Sequence, residues 1–154
     1  MIPPNIVAAA QASHKAFYPL GPYPSFSIAQ FGIESNWGKV LSGKNNPFGI
    51  KATPEQIAAG QATIRWTHEY INGRYEVVQQ YFADYDSIDD AFYLHAKLLA
   101  ESPIYVEAQH ASNLPDYIVA VAKHYATAPN YASVISNIIA QSNLTQYDTE
   151  VTNA

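Results

Sequence analysis

Glu34 is the first residue of this 154-residue chain that invites a chemical reading. It is the only carboxylate before Glu55, and its stretch carries Lys15, Lys39, Lys44 and Lys51. The residues ahead of it, Phe26, Ile28, Ala29, Phe31, Gly32 and Ile33, are apolar around nearly the whole helical circumference, so the helix they form should be buried. Glu34 falls in its last turn. Burial disfavours the carboxylate form, and so does the negative end of a helix. Both push the group toward a neutral acid near neutral pH, the state a general acid needs to protonate a leaving oxygen. The plainer alternative is a glutamate that reaches solvent at the helix end and pairs with Lys39.

Other chemistries have little to work with. There is no cysteine, hence no thiolate nucleophile, thiolate metal site or disulfide framework. The five histidines (His14, His68, His95, His110 and His124) lack the i, i+4 ligand spacing. No Gly-rich phosphate loop and no Gly-x-Ser-x-Gly elbow occurs. We expect neither metal nor cofactor. A net charge of -5 argues against nucleic acid or an anionic membrane surface as partner, and no run of 18 apolar residues suits a membrane span. The N-terminal Met-Ile-Pro-Pro does not read as a secretory signal. The aromatic content, including twelve tyrosines, suits either a core or a sugar cleft.

The elements that must position Glu34 are legible in outline. Pro4 to Tyr18 reads as an Ala-rich helix stopped by Pro19-Leu20-Gly21-Pro22. Ser25 is the expected cap of a second helix running to about Trp37, with Gly38 at its C-terminal cap. A Gly/Asn/Pro-rich loop follows from Ser42 to Gly49, and Thr53-Pro54-Glu55 opens a short helix. Two β-prone runs flank Asn72-Gly73, the signature of a hairpin. Ser87 and Asp90 resemble a capping box ahead of a helix to about Glu101. Helices near Leu114–Tyr125 and Tyr131–Asn143 complete the chain. The expected fold class is α+β, mostly α, in a single domain over residues 1–154, with a ligand groove between a helical lobe and a small β lobe.

Four segments then carry a resemblance. Ala29-Gln30-Phe31-Gly32-Ile33-Glu34-Ser35-Asn36-Trp37-Gly38 is followed by Asn45-Asn46-Pro47-Phe48-Gly49-Ile50-Lys51, by the hairpin Trp66 to Phe82 with Tyr85-Asp86-Ser87, and by Tyr125-Ala126-Thr127-Ala128-Pro129-Asn130-Tyr131-Ala132. In this order they resemble the peptidoglycan N-acetylglucosaminidases of glycoside hydrolase family 73, which include flagellar-rod muramidase and autolysin domains. The resemblance covers nearly the whole chain. It departs at Ala128, where the family usually has Asp, and at His124, where Gly is common. Asn130 is expected to take over part of the missing helix cap.

The resemblance implies a lysozyme-like helical lobe with a β-hairpin lobe flanking a substrate groove. It implies Glu34 as the catalytic acid and Glu69, on the hairpin, as a second acid serving as base or charge stabiliser. Glu76 competes for that role, and an exposed Glu69 opposite Arg74 is the alternative. The N-acetyl group of the sugar could itself attack, with Tyr125 holding it or the developing charge. Tyr105, Asn46, Phe48 and Trp37 are the candidate substrate contacts. Asn46 could equally bond its own loop, Phe48 could pin that loop, Trp37 could shield Glu34, and Tyr105 has weaker support. Gly49 reads as backbone geometry. The implied partner is the peptidoglycan glycan strand, cut at the N-acetylglucosaminyl-β-1,4-N-acetylmuramic acid bond. The alternatives are a muramidase or lytic transglycosylase using the same acid, and a non-catalytic glycan-binding module. The expected place of action is the bacterial wall, reached by phage lysis, in a virion or through dedicated secretion. An inhibitor or immunity protein joins the partners if the chain is a secreted toxin.

Overall fold

A computed structural model describes residues 1–126 and 128–148; Thr127 of the last motif and residues 149–154 lie outside the described residues. The chain divides into two compact units, one formed by residues 1–30 and 92–154, the other by residues 31–91.

The first unit is helical. It holds α1 (Pro4–Ala16), the start of α2 (Pro24–Ser35), most of α4 (Ile88–Glu101), a short 3-10 turn (Pro103–Tyr105), α5 (Val106–Gln109), α6 (Leu114–Tyr125) and α7 (Tyr131–Gln141). Its core is built from the apolar faces of these helices and the turn after α7: Ala10, Phe26, Ile28, Phe92, Leu99, Val121 and Ile135 on the helices, and Leu144 in the turn, are wholly or almost wholly excluded from water. α2 is buried on every side from Ser25 to Gly32, as its unbroken apolar composition requires. The 3-10 turn and α5 were not anticipated; they are too short to carry a periodic apolar pattern.

α2 begins one residue before the expected cap. Pro24 occupies the first turn, where a missing N–H costs nothing. Ser25 therefore does not cap its own helix. Its N–H donates to Asp148 Oδ1 at 2.8 Å and its hydroxyl to Asp148 Oδ2 at 2.6 Å. A carboxylate from the far end of the chain thus meets the positive end of α2. The other end also differs from expectation. The helix stops at Ser35, two residues early, because Asn36 (φ 48°) and Trp37 (φ 57°) enter the left-handed region together with Gly38 (φ 87°). The Ser35 hydroxyl closes the turn by accepting from the Gly38 N–H at 2.8 Å.

The second unit contains α3 (Pro54–Ala58) and an antiparallel hairpin of β1 (Ala62–Ile71) and β2 (Arg74–Ala83). Thr53 and Gln56 form the reciprocal capping box that opens α3. Asn72 (φ 52°) and Gly73 (φ 84°) make the two-residue turn, both left-handed as a type I′ turn demands. The register pairs Tyr70 with Tyr75, Glu69 with Glu76 and Thr63 with Phe82. The segment after Gly49 docks on β2 through an isolated bridge between Lys51 and Phe82: the Ala52 N–H donates to the Tyr81 carbonyl (2.9 Å) and the Ala83 N–H to the Ile50 carbonyl (3.0 Å).

Candidate active site

In the unit of residues 31–91, Glu34 lies in the last turn of α2 and is half-buried. Behind it, Trp37 folds back across Gly32. A β-carbon at position 32 would stand 2.7 Å from the indole, so only glycine lets the ring lie there. The Phe31 ring meets the indole edge-on at 6.4 Å. Trp37 stays 38% exposed, so it covers the helix end with one face and leaves the other open.

The loop motif that follows is organised by Asn46. Its side chain is fully buried and its hydrogen-bonding capacity is spent on the backbone. Nδ2 donates to the Ile50 and Ala83 carbonyls, both at 2.9 Å, and Oδ1 accepts from the N–H groups of Phe48 (3.2 Å) and Ile50 (3.3 Å). Phe48 is fully buried as well. For Asn46 and Phe48 the sequence allows either a sugar contact or a role in holding their own loop. Of the two roles considered for each, bonding the loop and pinning it are the ones these buried side chains fill. What the loop presents is backbone. Gly49, at φ +65°, comes so close to Glu34 that an added β-carbon would lie 3.3 Å from Oε2. Its lack of a side chain thus serves both the turn and the space beside the acid.

On the hairpin, Glu69 and Glu76 are directly opposed, so both carboxylates lie on one face. Such a like-charge pair needs cations. Arg74 Nε donates to Glu76 Oε1 at 2.9 Å, and Lys51 Nζ reaches Glu69 Oε1 at 3.2 Å. Arg74 is opposite Ile71, not Glu69. The Glu69 side chain is only 16% exposed, against 39% for Glu76, so it is not the solvated hairpin carboxylate of the alternative reading. Its partner Lys51 closes the same motif that holds Asn46 and Gly49, a role the sequence reading missed. The signal was present in that motif, but the pairing depends on the strand docking.

In the helical unit, Tyr125 ends α6 and is half-buried. Its ring stacks on Tyr131 (6.0 Å, 19° between planes) and meets the His95 ring edge-on (5.9 Å, 76°). Tyr105 is buried in the core, with its hydroxyl donating to the His124 carbonyl at 3.4 Å. Burial pushes that phenol up to about 12. Its polar tip faces backbone and its ring lies in the core. Asn130 does occupy the position before α7, but its side chain makes no cap bond, so it does not replace the missing Asp. Its carbonyl instead accepts from the Ser133 hydroxyl at 2.9 Å.

Comparisons with known proteins bear on the family and the fold. Residues 9–144 match the glucosaminidase family model, described as mannosyl-glycoprotein endo-beta-N-acetylglucosaminidase. A probable N-acetylmuramidase of Lactococcus lactis subsp. cremoris is 34% identical over 83% of the chain, and an autolysin of Enterococcus faecalis 35% identical over 82%. The chain spans 31% and 18% of the length of these two relatives. Among solved structures, a peptidoglycan hydrolase mutant from Sphingomonas sp. A1 superposes with a TM-score of 0.77 at 30% identity, covering 93% of this chain and 96% of that one. The catalytic domain of the autolysin Auto from Listeria monocytogenes gives 0.74 at 33% identity, covering 94% and 84%. With a mostly helical fold, one antiparallel hairpin and a family match over nearly its whole length, the chain belongs to the glucosaminidase family of glycoside hydrolases.

Proposed function

We propose that this chain hydrolyses the glycan strand of bacterial peptidoglycan at the N-acetylglucosaminyl-β-1,4-N-acetylmuramic acid linkage, with Glu34 as general acid. The observation that carries this reading is the setting of Glu34: half-buried at the carboxyl end of α2, with the side-chain-free Gly49 beside its Oε2. A neutral carboxyl held there donates its proton to the glycosidic oxygen as the bond to the anomeric carbon breaks. The leaving sugar departs as an alcohol, and positive charge develops on the ring it leaves behind.

Two routes can complete the reaction. In one, Glu69 takes a proton from the attacking water, and the product inverts at the anomeric carbon. The ion pair with Lys51, at 3.2 Å, supports a carboxylate held in one place on the hairpin. In the other, the substrate's acetamide oxygen attacks, Tyr125 orients that group, and configuration is retained. NMR of the first-formed anomer separates the two routes.

The muramidase reading, with the same acid cutting the neighbouring bond, is favoured by the likeness to the probable N-acetylmuramidase of Lactococcus. Digestion of purified peptidoglycan followed by mass spectrometry decides. N-acetylglucosamine at the new reducing ends is expected. Reducing N-acetylmuramic acid would establish the muramidase, and anhydromuramyl ends a transglycosylase. Glu34→Gln should abolish turnover while leaving the fold intact. Full activity in that variant would remove Glu34 from the mechanism, and glycan binding without cleavage by the wild type would make the chain a binding module. Action at the bacterial wall follows from the substrate. A groove-plugging inhibitor is the partner expected if the setting is a toxin.

A further inference from the structure

His95 is fully buried on α4, within the helical unit. Its Nε2 lies 2.5 Å from Gln30 Oε1, and Gln30, also fully buried, donates from Nε2 to the Tyr131 hydroxyl at 3.0 Å. In this arrangement the Gln30 nitrogen donates to Tyr131 and its oxygen faces His95, and an amide oxygen can only accept. His95 must then donate, which places its proton on Nε2. The Tyr131 ring held by this chain stacks on Tyr125, and the His95 ring itself meets Tyr125 edge-on. Tyr125 is the last residue of α6, and the backbone turns extended at Ala126 (φ -129°, ψ 150°). Its ring is therefore held by two aromatic neighbours at the point where the helix stops guiding it.

We propose that His95 is a positioning residue: as a neutral Nε2–H donor it fixes Gln30 and Tyr131, and through them and its own ring it sets the orientation of the Tyr125 side chain. This rests on the role given to Tyr125 above. Burial, which pushes His95 down to about 3, keeps the imidazole neutral wherever the enzyme is assayed near neutral pH. The invariant requirement is the donor, not a charge. Gln at this position reaches with an amide N–H to roughly where Nε2 stands, whereas Leu fills the space without a donor.

The test uses the whole chain in four forms: His95→Leu, His95→Gln, Tyr125→Phe and the double variant His95→Leu/Tyr125→Phe. Turnover and KM are measured on soluble peptidoglycan strands, and the Tyr125 ring is followed by NMR with labelled tyrosine. We expect His95→Leu to lower kcat about tenfold or more, in line with the cost of a small misplacement, with KM within about twofold. His95→Gln should recover most of the loss. In the Tyr125→Phe background, His95→Leu should add no further loss. Both variants lose the imidazole ring beside Tyr125, so His95→Gln is the reference, and the Tyr125 ring resonances in His95→Leu should differ from it. Equal loss from His95→Leu in both backgrounds, or Tyr125 resonances in folded His95→Leu that match those of His95→Gln, overturns the proposal. If Tyr125→Phe is fully active, the catalytic reading of Tyr125 falls, and the NMR shifts alone decide whether His95 positions the ring. Should His95→Leu fail to fold, Gln30→Met removes the same bonds from the other side and is read by the same two measurements.

Discussion

A β-carbon at Gly49 would stand 3.3 Å from Glu34 Oε2, so the loop backbone passes the acid with only hydrogens between them. Two costs follow from replacing this glycine. At φ +65° any L side chain is strained, by roughly 1–2 kcal/mol. The added methyl must also push the carboxyl aside by a few tenths of an ångström. Gly49→Ala should therefore lower the unfolding free energy by about 1 kcal/mol and reduce kcat by about tenfold. Denaturant unfolding and turnover on peptidoglycan measure the two effects separately. Unchanged kcat would show that the acid does not depend on this approach.

Asn46→Ala should destabilise much more. It leaves two carbonyls and two N–H groups without their side-chain partner in a loop that is otherwise buried around it. At about 1–3 kcal/mol per unsatisfied buried group, partly relieved by entering water, a loss of about 3 kcal/mol is expected. Asn46→Asp keeps the acceptor but loses both donors, so it should fare little better. Chemical unfolding checks this. A variant of wild-type stability with raised KM would instead return Asn46 to the substrate.

Gly32 and Trp37 should be coupled. Alanine is better than glycine inside a helix by about 1 kcal/mol, yet here its methyl would lie 2.7 Å from the indole. Overpacking of that kind costs about 1–3 kcal/mol, so Gly32→Ala alone should destabilise. Combined with Trp37→Ala the same change should become neutral or stabilising. A double-mutant cycle in thermal unfolding reads the sign reversal directly, and additivity would mean the indole moves away freely.

Two buried groups give the stability opposite pH slopes. His95 titrates at about 3 in the folded chain against 6.5 as a free group, so between these values the unfolded state binds the extra proton. Its contribution is whole above 6.5 and is lost as pH falls, at on the order of 1 kcal/mol per unit. Asp148 is raised above 3.8, chiefly by burial, against the lowering pull of its Ser25 bonds and of His14. The folded state therefore holds the Asp148 proton longer, and this contribution is present below 3.8 and lost as pH rises through the folded value. In unfolding titrations, His95→Phe should remove the acid-side loss, while Asp148→Asn should remove the opposing term and steepen it. A His95→Phe profile parallel to wild type would contradict the assignment.

Local chemistry made much of the fold readable. Asn72-Gly73 announced its turn because few residues accept two successive left-handed positions. Thr53-Pro54 announced α3 because a hydroxyl cap and a fixed φ suit a helix start. The failures share a different cause. Ser25 looked like a cap and instead donates to Asp148, more than a hundred residues away. Asn130 stands where a cap belongs and does not act as one. Tyr105 and Asn46 carry the polar groups of ligand-binding residues, but their hydroxyl and amide are used inside the protein.

By itself, the sequence determined that an apolar helix would end in one acid, that a hairpin would turn at Asn72-Gly73, and that four motifs would follow in family order. These depend on residues a few positions apart, whose steric and hydrogen-bonding preferences act within one turn or one loop. Only the tertiary structure decided which face Glu69 shares with Glu76, which cation meets Glu69, which side chains of the loop motif are inside, and what surrounds Tyr125. Each of those is a contact between distant parts of the chain. Strand register, docking and burial are set by the sum of many weak packing terms, and no short run of residues encodes that sum.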